Sequence, residues 1–388
     1  MTQGVRDSAA PPPYERALGL DSRPSAEEQI QFLANIERLL ADGSFVATYK
    51  YALLIVLIDL AVEHGDDTRA ELPLCISEIA ERFAELYWRQ SAPYVADGDG
   101  SGILLHQNKG KQAKAIRLLA ELRKRATTLA TARQGPHWRP LASEMRTLLQ
   151  TMPLWKLQRI GHEYVEFLYH RGPDTGWITL LPGVASHLRQ RGALIRRLAQ
   201  TEWLKFVLTL KQNQAALGSA TGLSEFLFGT KRAALSLKLT GPLSELGGGR
   251  CFYCGHALAR QSAIDHFIPW STYPRDLVHN LVVAHAKCNA LKSDLLGGED
   301  HLQQWTRSVT DNDEALAEIG QSVGVVVDRP ASIAVAKWSY ARAEQNHAEV
   351  WLGGDRYGHL SSSWNECFLV AGPISPRSRC PPSDESSP

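Results

Sequence analysis

The sequence predicts a predominantly helical α+β protein: a large α-rich N-terminal region, a small strand–loop–strand–helix unit, and C-terminal helices. Three observations lead there. Apolar residues recur at helical spacing through much of residues 25–246. Three of the six cysteines, Cys251, Cys254 and Cys288, fall within 38 residues. Between these cysteines lie two short β-rich runs followed by a helical pattern. Composition agrees: 44% hydrophobic and 21% charged residues among 388 is near the globular average, which excludes wholesale disorder, collagen and a coiled-coil rod.

Residues 1–24, rich in Pro and Ser, are expected to be disordered, as are residues 372–388. Ser25-Ala26-Glu27-Glu28 reads as a capping box, and Ile30, Leu33, Ile36 and Leu40 follow on one helical face. Further helices are expected over Phe45–Glu63, Ile76–Trp88, Lys111–Ala132 and residues 183–212. Glu163–Leu181 holds two apolar runs split by Gly172-Pro173, a hairpin pattern. Gly247-Gly248-Gly249 is a joint. It divides an α-rich region of unassigned fold, 25–246, from a compact unit over 250–297, and a helical segment over 298–371 should pack on the rest. The longest apolar run, Tyr51–Ile58, is eight residues, far below the roughly 20 needed to span a bilayer. With no apolar signal core at the N-terminus, a cytoplasmic protein with no membrane partner is expected.

Net charge is +1, from 42 Lys and Arg against 41 Asp and Glu, but it is unevenly distributed. Between His106 and Arg159 there are twelve basic residues and only two acids, Glu121 and Glu144. The bias continues over residues 189–250. Such a stretch suits phosphate neutralisation or an acidic partner protein, and is also what a solvated helix face looks like.

Residues 251–295 carry the chemistry. Cys251-x2-Cys254 and His285-x2-Cys288 are two knuckles of zinc-type ligands, each able to wrap one side of a tetrahedral ion. Four protein ligands close the coordination sphere, so this zinc should be a staple and not an activator of water. Ala263–Ile268 and Asn280–Ala284 read as strands, and a helix should run from Ala286 to about Leu296. His106, His162, His170 and His301 are read as structural, and His256 and His279, near the site, as surface or supporting residues; Trp270 and Tyr273, in the loop between the strands, are read as core, with a place near substrate as the alternative.

The order Asp265-His266, Asn280, then Cys288-Asn289-x-x-Lys292 resembles the HNH endonuclease family, the ββα-metal fold in its zinc-stapled form. The resemblance covers about 45 residues and departs from many members only in having His285 where they have Cys. It implies phosphodiester hydrolysis. His266, open to solvent, would be the general base, and Asp265 and Asn289 would hold Mg²⁺ or Mn²⁺. Asn280 would brace the loop that carries His266, and Lys292 would contact phosphate or stand solvated. The substrate implied is nucleic acid. DNA is favoured over RNA because nothing resembles an RNA-binding module. By analogy, an HNH unit on a large helical region points to prokaryotic restriction or anti-phage defence. One such site cuts one strand, so a double-strand break calls for a homodimer. A ribonuclease with the same site, or a zinc module that only binds nucleic acid or protein, are the competing readings.

Overall fold

The computed structural model describes residues 23–43, 45–95, 102–171, 176–217, 222–229, 232–258 and 262–371. Residues 1–22 and 372–388, for which the sequence predicts disorder, and the Gly172-Pro173 turn lie outside them.

The first helix, α1 (Ala26–Asp42), starts at the capping box: the Glu28 N–H donates to Ser25 Oγ and the Ser25 N–H donates to Glu28 Oε2. It buries Phe32, Ile36 and Leu39. Helix α2 (Tyr49–His64) is buried nearly all round, which explains the unbroken apolar run. It starts four residues later than Phe45. The Thr48 N–H is taken by the Gln107 carbonyl, and Phe45 instead stacks on Tyr51 at 4.3 Å.

Strand β1 (Leu72–Cys75) leads into α3 (Ile76–Gln90). The single helix expected over Lys111–Ala132 is two, α4 (Lys114–Arg123) and α5 (Leu129–Gln134). Thr128 causes the break, because its hydroxyl accepts the Thr131 N–H and caps a new helix. Helix α6 (Trp138–Thr151) follows. Strands β2 (Tyr169–Arg171) and β3 (Trp177–Leu180) form the hairpin, pairing Tyr169 with Leu180. Strand β1 adds to its other edge, Leu72 opposite Leu180, giving a three-stranded antiparallel sheet in the order β1-β3-β2. Helix α7 (Val184–Thr209) lies on α2. The approach is close: a Cβ at Gly192 would come within 2.6 Å of Ile58 Cγ2. These elements share one core, from Phe32 to Leu227.

Helix α8 (Arg232–Leu246) leads into a second core, where its Leu239 and Leu243 are buried. Strands β4 (Ser262–His266) and β5 (Leu281–His285) pair antiparallel, followed by α9 (Ala286–Lys292). Helix α9 stops four residues before Leu296, because Ser293 adopts φ 49° and its N–H returns to the Asn289 carbonyl. Helices α10 (Glu299–Asp311), α11 (Asp313–Val323) and α12 (Arg329–Gln345), with hairpin β6 (Val350–Gly353) and β7 (Arg356–Gly358), share this core with the strands. Phe267 stacks on Trp305 at 5.0 Å, and Tyr340 and Trp364 extend the aromatic layer. No helix among the described residues is long and apolar enough to cross a membrane.

A buried charged cluster joins the two cores. Arg275, in the loop between β4 and β5, donates to Glu85 of α3 at 2.6 and 2.9 Å. It also reaches Glu63 of α2 at 3.3 Å. Arg82 of α3 contacts Glu63 and lies 3.3 Å from Asp328, the residue that caps α12. Tyr273 donates its hydroxyl hydrogen to Glu63, and Arg133 pairs with Glu85. Three guanidinium groups thus face three acidic side chains in the cluster.

Candidate active site and metal centre

The two knuckles come together. Cys251 and Cys254 sit in a tight turn, closed by Gly255 at φ 69°, whose N–H donates to the Cys251 carbonyl. His285 ends β5, and Cys288 lies in the first turn of α9. One ligand atom from each of the four residues lies within 4.8 Å of the others. His285 turns Nδ1 toward the sulfurs, 3.3 Å from Cys254 Sγ, while Nε2 lies 3.0 Å from the Ala257 carbonyl. That second bond requires Nε2–H and leaves the Nδ1 lone pair for an ion. The donor set is hostile to itself without a cation: burial and the neighbouring Cys251 and Cys254 sulfurs push the Cys288 thiol up to about 12. Burial also opposes the Cys251 thiolate, but backbone N–H groups of Cys254, His285 and Tyr253 outweigh it and the thiol is lowered. A Cys₃His set with these separations fits zinc.

Strand alternation sends the side chains of Asp265 and His266 to opposite faces of β4. Asp265 is buried. Its Oδ2 accepts from the Tyr253 hydroxyl at 2.6 Å and lies 3.1 Å from Lys292 Nζ. Its Oδ1 carries no hydrogen bond among the described residues. Lys292 is neither solvated nor turned toward substrate, as the sequence suggested. It is fully buried at the end of α9, ion-paired with Asp265 and donating to the His266 carbonyl at 3.1 Å. Burial lowers its pKa and Asp265 partly restores it. Asn289, one turn into α9, is half-buried, and that helix packs on β4. Asn280 spans to the loop after β4: its Oδ1 accepts the Ile268 N–H at 2.8 Å and its Nδ2 donates to the Ile268 carbonyl at 3.0 Å.

His266 differs from expectation. Its side chain is only 9% exposed. Nε2 lies 2.9 Å from Asp276 Oδ1, and Trp270 leans on the ring at 5.2 Å. Trp270 is therefore a wall of the site and also lines a cleft of about 250 Å³ with Asp276, Arg89, Arg196 and Gln200, while Tyr273 is core. Tyr253, Asp276 and Arg275 were not marked as site residues by the sequence. Tyr253 could have been found inside the first knuckle. Asp276 stands ten residues beyond His266 with no motif to flag it.

Much of the basic middle segment is internally engaged. Arg123 donates to the Trp88 carbonyl at 2.8 and 3.0 Å and covers the Trp88 ring. Lys114 pairs with Glu144, Lys124 with Glu121, Arg189 with Asp67 and Arg196 with Asp59. Lys111, Arg117 and Arg139 are exposed and carry no ion pair among the described residues.

This strand–loop–strand–helix unit with its knuckles is of the HNH type: residues 251–297 match the HNH endonuclease family model. A second model, a domain of unknown function (DUF8808), matches residues 29–225 of the 388, and the chain belongs to that family. Neither a curated protein nor a solved structure matches the chain.

Proposed function

We propose that the protein is a metal-dependent endonuclease that hydrolyses DNA phosphodiester bonds, with His266 as general base and a divalent ion on Asp265 and Asn289. The observation that carries this reading is the pair of unused atoms on adjacent residues, Asp265 Oδ1 and the lone-pair nitrogen of His266, within an HNH match. Tyr253 and Lys292 both engage Oδ2 and so present Oδ1 as an anionic ligand. Mg²⁺ or Mn²⁺ there would supply charge stabilisation at phosphorus and at the leaving 3′-oxygen. Asn280 fixes the residues that follow His266, and the zinc knuckles hold β5 and α9 in register with β4. Lys111, Arg117 and Arg139 are exposed cations that could each meet phosphate.

The test is to incubate wild type and His266→Ala with plasmid DNA and Mg²⁺, and in parallel with structured RNA. Loss of a general base costs on the order of 10²–10⁴-fold in rate. DNA cleavage by wild type and its loss in the variant support the reading. Cleavage of RNA alone would make the protein a ribonuclease, and no cleavage of either would leave a binding module.

A further inference from the structure

We propose that Asp276 is the positioning residue for the base: it fixes the tautomer of His266 so that Nδ1 is the atom that takes the proton from water. The inference rests on the nuclease reading above and names a residue that the HNH motif does not contain. Three observations carry it. Asp276 Oδ1 lies 2.9 Å from His266 Nε2. Nδ1 of the same ring makes no hydrogen bond among the described residues. The residue before Asp276 is itself held, because Arg275 grips Glu85 with two bonds and Glu63 with a third, and its N–H donates to the Tyr273 carbonyl.

The chemistry follows from what each group can do. A carboxylate only accepts hydrogen bonds, so a neutral imidazole facing it must carry its hydrogen on Nε2. The lone pair is then on Nδ1. In the reaction, water gives one proton to Nδ1 as its oxygen bonds to phosphorus. The P–O3′ bond breaks with its electron pair on oxygen, which takes a proton from solvent. The imidazolium formed is held by the Asp276 carboxylate at Nε2–H and returns its extra proton to solvent. Trp270 leans on the same ring, 5.2 Å between centroids.

The arrangement also gives the α-rich region a role at the site. Asp276 is placed by Arg275, and Arg275 is placed by Glu85 and Glu63 on helices α3 and α2. The base is thus oriented from a region outside the HNH match.

The decisive variant is Asp276→Asn, read in two ways on the full-length, zinc-loaded protein. An amide turned to donate to Nε2 would move the imidazole hydrogen to Nδ1. Nitrogen-15 NMR of the histidine side chains, with His266→Gln to assign the signal, distinguishes the two tautomers. Wild type should show a protonated Nε2 and an unprotonated Nδ1, and Asp276→Asn should reverse them. In plasmid cleavage the variant should lose on the order of 10²–10⁴-fold in kcat, with KM, zinc content and melting temperature unchanged. Asp276→Glu should recover part of the rate. Unchanged tautomer in Asp276→Asn, or a reversed tautomer with unchanged kcat, overturns the inference while the nuclease reading stands. If wild type cuts neither DNA nor RNA, the nuclease reading falls and the role of Asp276 falls with it. A parallel loss of rate and melting temperature in both Asp276 variants would mark a merely structural residue and also overturns it.

Discussion

Arg275 and Glu85 face each other across the seam between the two cores, joined by two hydrogen bonds of 2.6 and 2.9 Å, with both side chains largely buried. A bidentate guanidinium–carboxylate pair fixes orientation as well as distance. It therefore sets how the loop carrying Trp270, Tyr273 and Asp276 sits against α3, and so how His266 is enclosed.

Breaking that pair should be costly. Removing one member of a buried ion pair typically costs about 3–5 kcal/mol. Glu85→Ala leaves Arg275 and Arg133 facing each other without their shared carboxylate, so it should fall in that range. Arg275→Ala should cost less, because Glu85 keeps Arg82 and Arg133. Urea unfolding of both variants measures this. A loss below about 1 kcal/mol in Glu85→Ala, the level of a surface pair, would show that the cluster does not hold the cores together.

The same cluster should give the protein a pH dependence of defined sign. Burial pushes Glu63 up from 4.5 to about 7; Arg82 and the Tyr273 hydroxyl pull it down, and Asp328 and Asp59 add to the rise. A carboxyl group whose folded pKa is raised binds more protons in the folded than in the unfolded state between those two values. Its contribution to stability is therefore present below pH 4.5 and declines as pH rises toward 7. Glu63→Gln removes the titration. Melting curves across that window should show wild type losing stability relative to Glu63→Gln as pH increases. Parallel curves would mean that Glu63 titrates alike in the folded and unfolded states.

The knuckles make a prediction about metal and folding together. A structural zinc commonly contributes ~10 kcal/mol or more, and the unit between Cys251 and Cys288 buries its apolar residues in one core with those of α10–α12. Cys254→Ser should lower zinc content by elemental analysis and open β4, β5 and α9 to amide hydrogen exchange, while α2 and α7 in the other core stay protected. Full zinc occupancy in that variant would remove Cys254 from the ligand set.

What was legible in the sequence tracks how local the cause is. The capping box at Ser25 and Glu28 could be read because four consecutive residues make it, and the metal-type ligands because each knuckle is a three-residue spacing. The α-rich class with small sheets was likewise readable from periodicity. The break between α4 and α5 was missed because the apolar spacing continues through Thr128, and only its hydroxyl bond to the Thr131 N–H ends the pattern. Strand β1 was missed because four residues of apolar character give no period, and its pairing with β3 joins positions about a hundred residues apart. The surroundings of His266 were hidden for a third reason. Lys292 looks like any helix-end lysine until the fold buries it under Asp265, and Arg275 looks like a surface charge until α3 presents Glu85.

Structure also changes which basic residues should touch nucleic acid. Sequence alone would choose Arg123, Lys124 and Arg125 for neutralisation. Arg123 is a structural anchor on the Trp88 carbonyl, Lys124 is paired with Glu121, and Arg125 lies 2.8 Å from His137 Nε2. Replacing Arg123 would loosen α4 against α3 and confuse any binding result. Lys111, Arg117 and Arg139 are exposed and have no such engagement, so Gln at all three should leave stability within about 0.5 kcal/mol of wild type. If these side chains contact phosphates, each neutralised phosphate releases a counterion, and the slope of log K against log salt should shrink by about 0.9 for every phosphate the variant no longer neutralises. The weakening should be equal for unrelated DNA sequences, because phosphate contacts carry no base information. Fluorescence anisotropy with two unrelated duplexes over a salt series decides the matter. A slope and affinity identical to wild type would mean that these three side chains are only solvated and that nucleic acid is held elsewhere on the protein.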